Sequence, residues 1–231
     1  MAACGDRGPR VPSGLEDRRP AFPSDFHLFL ASRSPRRREL LRGIGVPFAV
    51  VDSRGRELQN GLPSGWLAER NARAKMEGAL LPTDRAPGAF VLGADTIVVV
   101  DGLVLGKPAD ETEARSMLRL LSGRAHEVIS GVALARESSS TGADVHPPTV
   151  VGGWTSTRVD VRTLTDDDVE AYLASGEWAD KAGSYAIQGL AALLVAGVDG
   201  DYAIVVGLPL GLLAHLFRRQ GFDLLRRIWV G

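Results

Sequence analysis

Apolar and polar positions alternate in blocks along this chain. Phe26-His27-Leu28-Phe29-Leu30-Ala31 has the length and character of a short buried strand. Ser34-Pro35 then opens a helix, with Ser as N-cap and Pro at the first helical position, and the pattern stops at Gly43. Val46 to Val51 reads as a second strand, Asp52 to Gly61 as a polar loop, and Gly65 to Leu81 as a helix capped by Ser64. Phe90 to Gly93 and Thr96 to Val100 read as two strands with a break between them, and Asp101-Gly102 as a hairpin turn into Leu103-Val104-Leu105. Asp110 with Glu113 has the capping-box form and starts a helix to Leu121. Ala125 to Arg136 and Thr149 to Arg162 read as the long arms of a β-hairpin around an exposed loop, Glu137 to Pro148. Thr165 caps a helix ending near Ser175, with Gly176 behind it. Leu190 to Val198 and Tyr202 to Val206 read as strands and Pro209 to Gln220 as a closing helix. Strands and helices that alternate, with two hairpins, predict an α/β fold around a mixed sheet.

Composition narrows this picture. Residues 1–25 are rich in Gly and Pro without an apolar stripe, which predicts a disordered leader before one domain over 26–231. No run reaches the ~18 apolar residues of a membrane span. The longest sparsely charged stretch, Leu190 to Leu216, is interrupted by Asp199, Asp201 and Pro209. A soluble cytoplasmic protein is expected. With 27 basic against 28 acidic residues, no global field points to nucleic acid or to a membrane surface. The single cysteine, Cys4, excludes an internal disulfide. Of the basic residues only Lys75, Lys107 and Lys181 are lysines. In so arginine-rich a chain, those three mark places that call for a compact ammonium.

The chemistry concentrates in three segments. Ala31-Ser32-Arg33-Ser34-Pro35-Arg36-Arg37 puts hydroxyls and cations on a strand-to-helix turn. Helix-start N–H groups and arginine forks both favour phosphate oxygens, and arginines there oppose the helix dipole unless an anion sits among them. Gly93-Ala94-Asp95-Thr96 offers a carboxylate between apolar runs, either a turn-forming Asp or a solvated or cation-bound group in a cleft. Lys107, after the next hairpin strand, could return to the same end of the sheet, and Glu57 in the polar loop is a second carboxylate. Asp180-Lys181-Ala182-Gly183-Ser184-Tyr185-Ala186-Ile187-Gln188-Gly189 offers an amide, Gln188, that suits a base edge or buried backbone equally. His126 on a strand reads as structural. The chain has no Walker A loop, no Gly-x-Gly-x-x-Gly, no zinc spacing and no Gly-x-Ser-x-Gly elbow. A metal would therefore be a hard divalent ion held by oxygen.

Taken in order, these segments resemble the Maf family of septum-formation-inhibitor-like nucleoside triphosphate pyrophosphatases. The resemblance rests on Leu30-Ala31-Ser32-x-Ser34-Pro35-Arg36-Arg37, Arg70-x-Ala72-x-x-Lys75, Gly93-Ala94-Asp95-Thr96-x-Val98 and Gly106-Lys107-Pro108. It continues through Leu121-Ser122-Gly123-x-x-His126-x-Val128, Asp180-Lys181-Ala182-Gly183-x-Tyr185-x-Ile187-Gln188-Gly189 and Gly200-Asp201-Tyr202 into Val205-Val206-Gly207-Leu208-Pro209. It implies an elongated mixed α/β fold with a cleft between two lobes, similar to inosine-triphosphate pyrophosphatases. It also implies hydrolysis of a nucleoside triphosphate to monophosphate and pyrophosphate with Mg2+ or Mn2+, and a homodimer. Asp95 matches the family's catalytic carboxylate, as proton acceptor or metal ligand. Glu57, Lys75 and Lys107 match other polar site residues, Glu57 standing with Asp95 as a metal ligand. Ser32, Arg36 and Arg37 match the phosphate-binding turn. Arg37, Thr96 and Gln188 match the dTTP/UTP type rather than the 7-methyl-GTP type. One departure is Arg56-Glu57, where the family often has Asp-Glu. Two rivals stand beside this reading: a pyrophosphatase for a modified purine nucleotide, and a cell-division regulator that binds nucleotide without turnover.

Overall fold

The computed structural model describes residues 20–137 and 148–230. In chain order the elements are β1 (Leu28–Leu30), α1 (Pro35–Gly43), β2 (Ala49–Val50), α2 (Ser64–Glu77), β3 (Phe90–Val100) and β4 (Leu103–Leu105). There follow α3 (Glu111–Leu121), β5 (Ala125–Arg136), β6 (Thr149–Val161), α4 (Asp166–Ala174), and 3-10 turns at Ala182–Ser184 and Gly189–Leu193. The chain closes with β7 (Val195–Asp199), α5 (Tyr202–Val206), α6 (Leu210–Arg219) and the small hairpin β8 (Phe222–Asp223) and β9 (Ile228–Trp229). Among the described residues seven strands make one sheet, ordered β2-β1-β3-β5-β6-β7 with β4 added to β3. β1 lies parallel to β2 and β3, and the other pairings are antiparallel, so the sheet is mixed as expected.

The sheet has a notch, and the register defines it. One edge of β3 is paired with β5 from Phe90 to Val99. On the other edge β1 covers Phe90 to Leu92 and β4 covers Val98 to Val100. Among the described residues, Gly93 to Ile97 therefore lack a strand partner on that side. The cores divide at the same place. Phe90, Leu92 and Ala94 pack with Leu41, Leu213, Phe217 and Phe222. Val98 and Val100 pack with Leu118, Leu121, Val169 and Leu173 from α3 and α4. Two lobes thus share the long strands, and Asp95 and Thr96 fall between them.

Several expectations are corrected. The break at Gly93-Ala94-Asp95-Thr96 does not exist; β3 runs through it, and Asp95 is a mid-strand residue, 6% exposed. Tyr202–Val206 is a helix: Asp201 accepts the Ala203 N–H at 2.8 Å, and Gly207 ends it at φ 119°. A five-residue apolar run is too short for periodicity to choose between strand and helix. Leu190 to Leu193 form a 3-10 turn, and the strand starts at Val195. Ser34 takes the N-cap position of α1 with Pro35 at the first helical position, as expected, but makes no side-chain cap bond, and Ser64 already lies inside α2, behind Pro63. The caps at Asp110 and Thr165 do form, accepting the N–H groups of Glu113 and Asp168 at 2.9 and 3.1 Å. Of the expected leader, residues 1–19 and most of the loop 137–148 lie outside the described residues. Residues 20–25 belong to the body. Phe22 packs 4.8 Å from Phe26 and 6.0 Å from Phe222, and the Pro20 carbonyl accepts from Arg227.

Candidate active site

Helix α2 comes unusually close to the sheet because both surfaces are stripped of side chains. A Cβ on Gly93 would lie 2.1 Å from the Ala72 carbonyl oxygen, and one on Gly131 would lie 2.3 Å from the Ala68 carbonyl carbon. Ala68 and Ala72 are fully buried against these glycines. This contact brings Asn71 and Lys75, one helical turn apart, down on Asp95. Lys75 Nζ donates to Asp95 Oδ1 at 2.7 Å, and Asn71 Nδ2 donates to Asp95 Oδ2 at 3.1 Å. Lys75 also meets Glu57 Oε1 at 3.1 Å. The loop that carries Glu57 crosses the end of α2 at Gly55, where a Cβ would lie 2.0 Å from the Ala74 carbonyl oxygen. A buried carboxylate, an exposed one and the ammonium between them form one cluster.

Thr96, next along β3, points to the other face of the sheet. There it meets Arg37, which is 8% exposed and reaches in from α1. Arg37 donates from Nε to the Gly207 carbonyl at 2.7 Å, from Nη1 to Ser32 Oγ at 3.0 Å and from Nη2 to Thr96 Oγ1 at 3.0 Å. Thr96 Oγ1 lies 2.8 Å from Ser130 Oγ, and Ser130 donates to the Ile204 carbonyl at 2.8 Å. Burial pulls the Arg37 guanidinium below its usual range, while Asp95 and, more weakly, Glu57 oppose that pull. Arginine stays charged in proteins. Arg37 is thus a buried strut that ties α1 to β3 and to the Gly207 turn.

Arg36, Lys107 and Lys181 also line the site, and none of them is ion-paired among the described residues. The Gly183 N–H donates to the Gly106 carbonyl at 3.0 Å, which lays the Lys181 segment alongside Lys107. Lys181 Nζ reaches only a backbone oxygen, that of Ala179, at 2.8 Å. Its ammonium is lowered by burial first, then by Arg36, while Asp180 and Glu177 oppose the shift and Lys107 adds to it. Burial likewise lowers Arg36. Mutual repulsion of this kind is relieved by an anion.

The site is a cleft of about 1150 Å³ over the notch. Ser32, Arg36, Arg37, Glu57, Lys75, Asp95, Thr96 and Lys107 all line it. Gln188 does not: it is half-buried at the start of the 3-10 turn, beyond Ile187, which does line the cleft. His126 is structural as expected. Its Nε2 lies 2.6 Å from the Tyr185 hydroxyl, and burial pushes the imidazole down to about 4. Asn71 and Ser130 were missed. The one available signal was a polar residue where the helix or strand pattern calls for an apolar one. Among the described residues no three His, Cys, Asp or Glu side chains gather as a metal-binding group. The carboxylates that do converge are Asp95 and Glu57. Among the described residues, too, no helix is long and apolar enough to cross a membrane.

Comparison with known proteins adds the family. A dTTP/UTP pyrophosphatase of Symbiobacterium thermophilum is 46% identical over 197 residues, 85% of this chain and 95% of that one. That of Moorella thermoacetica is 46% identical over 203 residues, 87% and 98% of the two chains. That of Pyrococcus abyssi is 44% identical over 191 residues, 83% and 95%. Among solved structures, a HAM1 protein from Coxiella burnetii overlaps 69% of this chain and 86% of its own at 18% identity. Its TM-score of 0.35 is too loose to bear on fold or chemistry. The model of the Maf-like proteins matches residues 27–220. That span holds every segment that the fold gathers around the notch in β3, and the chain belongs to the Maf family.

Proposed function

We propose that this protein hydrolyses nucleoside triphosphates, dTTP and UTP foremost, to the monophosphate and pyrophosphate. The observation that carries the reading is the set of charges that line the cleft. The Asp95–Lys75–Glu57 cluster shares it with the cations Arg36, Lys107 and Lys181, none of them ion-paired among the described residues. A triphosphate carries about four negative charges, and attack at its α-phosphorus needs them neutralised. Arg36, Lys107 and Lys181 bind the phosphate chain and stabilise the departing pyrophosphate. Water forms the new O–P bond as the α–β bridge breaks, and Asp95 takes the water's proton. Lys75 holds the two carboxylates in place.

The donor set suits a hard divalent cation. Asp95 and Glu57 meet on one ammonium, 2.7 and 3.1 Å away, and offer only oxygen. They would hold Mg2+ or Mn2+ with substrate oxygens filling the remaining positions. Bound there, the ion would neutralise phosphate charge and make water more acidic. The same reading has Arg37, Thr96 and Gln188 setting base choice, and a cytoplasmic protein acting beside the nucleotide pool. That these relatives are dTTP/UTP pyrophosphatases supports the pyrimidine choice.

The test is kcat/KM for dTTP, UTP, CTP, GTP and 7-methyl-GTP with Mg2+ or Mn2+, scoring pyrophosphate against orthophosphate. The expected outcome is pyrophosphate release, fastest from dTTP and UTP. Gln188→Glu, which acts through the lining Ile187 rather than by touching the base, should narrow the lead of those two nucleotides over the others and leave hydrolysis itself intact. A preference for a purine would overturn the pyrimidine reading. Binding without turnover would leave the regulator.

A further inference from the structure

We infer that Asn71 is the positioning residue of this site: one buried carboxamide sets the angle of the Asp95 carboxylate and holds the Glu57 loop over it. The inference rests on the proposed hydrolysis, since it gives Asn71 a part in that reaction. Asn71 is 2% exposed. A carboxamide has two N–H donors and a carbonyl acceptor, and all are used here. Nδ2 donates to Asp95 Oδ2 at 3.1 Å and to the Leu58 carbonyl at 3.0 Å. Oδ1 accepts the Leu58 N–H at 2.7 Å. The two bonds to Leu58 imitate a rung of a β-ladder, so the loop is held through both of that residue's backbone groups. Leu58 follows Glu57, whose carboxylate stands 3.1 Å from Lys75. Lys75 in turn holds the other Asp95 oxygen at 2.7 Å.

The two residues of α2 therefore have different duties. Lys75 supplies charge, and a point charge leaves a carboxylate free to swing about Cβ–Cγ. Asn71 fixes the second oxygen and with it the plane of the group. Because the amide that orients Asp95 is also the one that pins Leu58, its removal releases the carboxylate and the loop together. Aspartate at this position has the right shape but nothing to donate to Asp95 or to the Leu58 carbonyl. Serine leaves room for water and reaches neither partner.

The experiment compares wild type with Asn71→Asp, Asn71→Ser, Glu57→Gln and the Asn71→Ser/Glu57→Gln double variant. It measures dTTP hydrolysis with Mg2+, and amide hydrogen exchange at Leu58 in the free protein. The expected result is a loss in kcat of about 10- to 100-fold from misplacement of the reacting groups. KM should stay within about threefold, because the phosphate-binding cations are untouched. Leu58 should lose exchange protection while the β3 amides keep theirs. The double variant should lose no more than the worse single one, as expected of residues that act as a unit. Normal kcat in a folded Asn71 variant, a change in KM alone, losses that multiply, or a kcat loss with Leu58 still protected would each overturn the assignment. The serine variant keeps the test open if the aspartate variant does not fold. A wild type inactive on every triphosphate would remove the hydrolysis reading and this assignment with it. An active wild type with unchanged variants would remove the assignment alone.

Discussion

Asp95 shows how a buried charge becomes usable. Both oxygens are satisfied, by Lys75 and Asn71, so a carboxylate 6% exposed sits in the middle of an apolar strand. Under the proposed mechanism Asp95→Asn keeps the shape and loses the function. Its kcat should fall by ~10²–10⁴, with circular dichroism unchanged; a folded variant keeping a tenth of the rate would sink the role. His126 makes the opposite use of burial. Its imidazole is pushed from an ordinary 6.5 down to about 4. The unfolded chain takes up a proton below pH 6.5 that the folded protein refuses. Stability therefore falls as pH drops through that window and is fully present above it. The residue should cost about 2 kcal/mol between pH 7 and pH 5. Urea melts at both pH values should show a smaller pH dependence in His126→Gln; an equal dependence would refute this. At this scale the sequence is most informative where a motif surrounds the residue, as for Asp95, Lys75 and Lys107. Ser130 stands alone in an apolar strand and Asn71 fills an unspecified position inside the Arg70-x-Ala72-x-x-Lys75 motif, and neither is readable until its partners are seen.

At the scale of elements, the contact that matters is α2 on β3 and β5, and it depends on what is missing from it. Gly131→Ala puts a methyl group 2.3 Å from the Ala68 carbonyl carbon, in backbone that has nowhere to go. Overpacking of this sort costs ~1–3 kcal/mol, and it lifts Lys75 and Asn71 from Asp95. A lowered Tm together with a lowered kcat is the expected outcome. Gly43→Ala, a glycine with nothing within 4 Å of its would-be Cβ, is the control that should keep its kcat. The helices and strands with caps and turns of their own are readable in the sequence: α3 from Asp110, α4 from Thr165, the hairpin at Asp101-Gly102. Elements decided by neighbours are not. Gly93 reads as a strand break because glycine weakens strands, yet here it clears the way for a helix. The apolar run from Tyr202 to Val206 does not identify α5, since only the cap at Asp201 and the turn at Gly207 separate helix from strand there.

At the scale of the molecule, the two lobes do not meet across a linker. β3, β5 and β6 run through both, so each lobe contributes core to the same three strands. Thermal unfolding should be a single transition, with calorimetric and van't Hoff enthalpies equal; two resolved transitions would show that the lobes are separate units. A mixed sheet with two hairpins is legible from the alternation of elements, whereas the notch is not, because it is a property of register among β1, β3 and β4. That notch has a consequence for the protein's own solubility. A bare strand edge ordinarily invites another chain to add itself, the first step toward aggregation. Here, among the described residues, the bare stretch is Gly93 to Ile97, closed at one end by β1 and at the other by β4. An incoming strand would collide with those neighbours before it could form a ladder of useful length. The opening admits a small molecule and turns away a second polypeptide, so an unpaired edge can persist at the centre of the fold without seeding fibres.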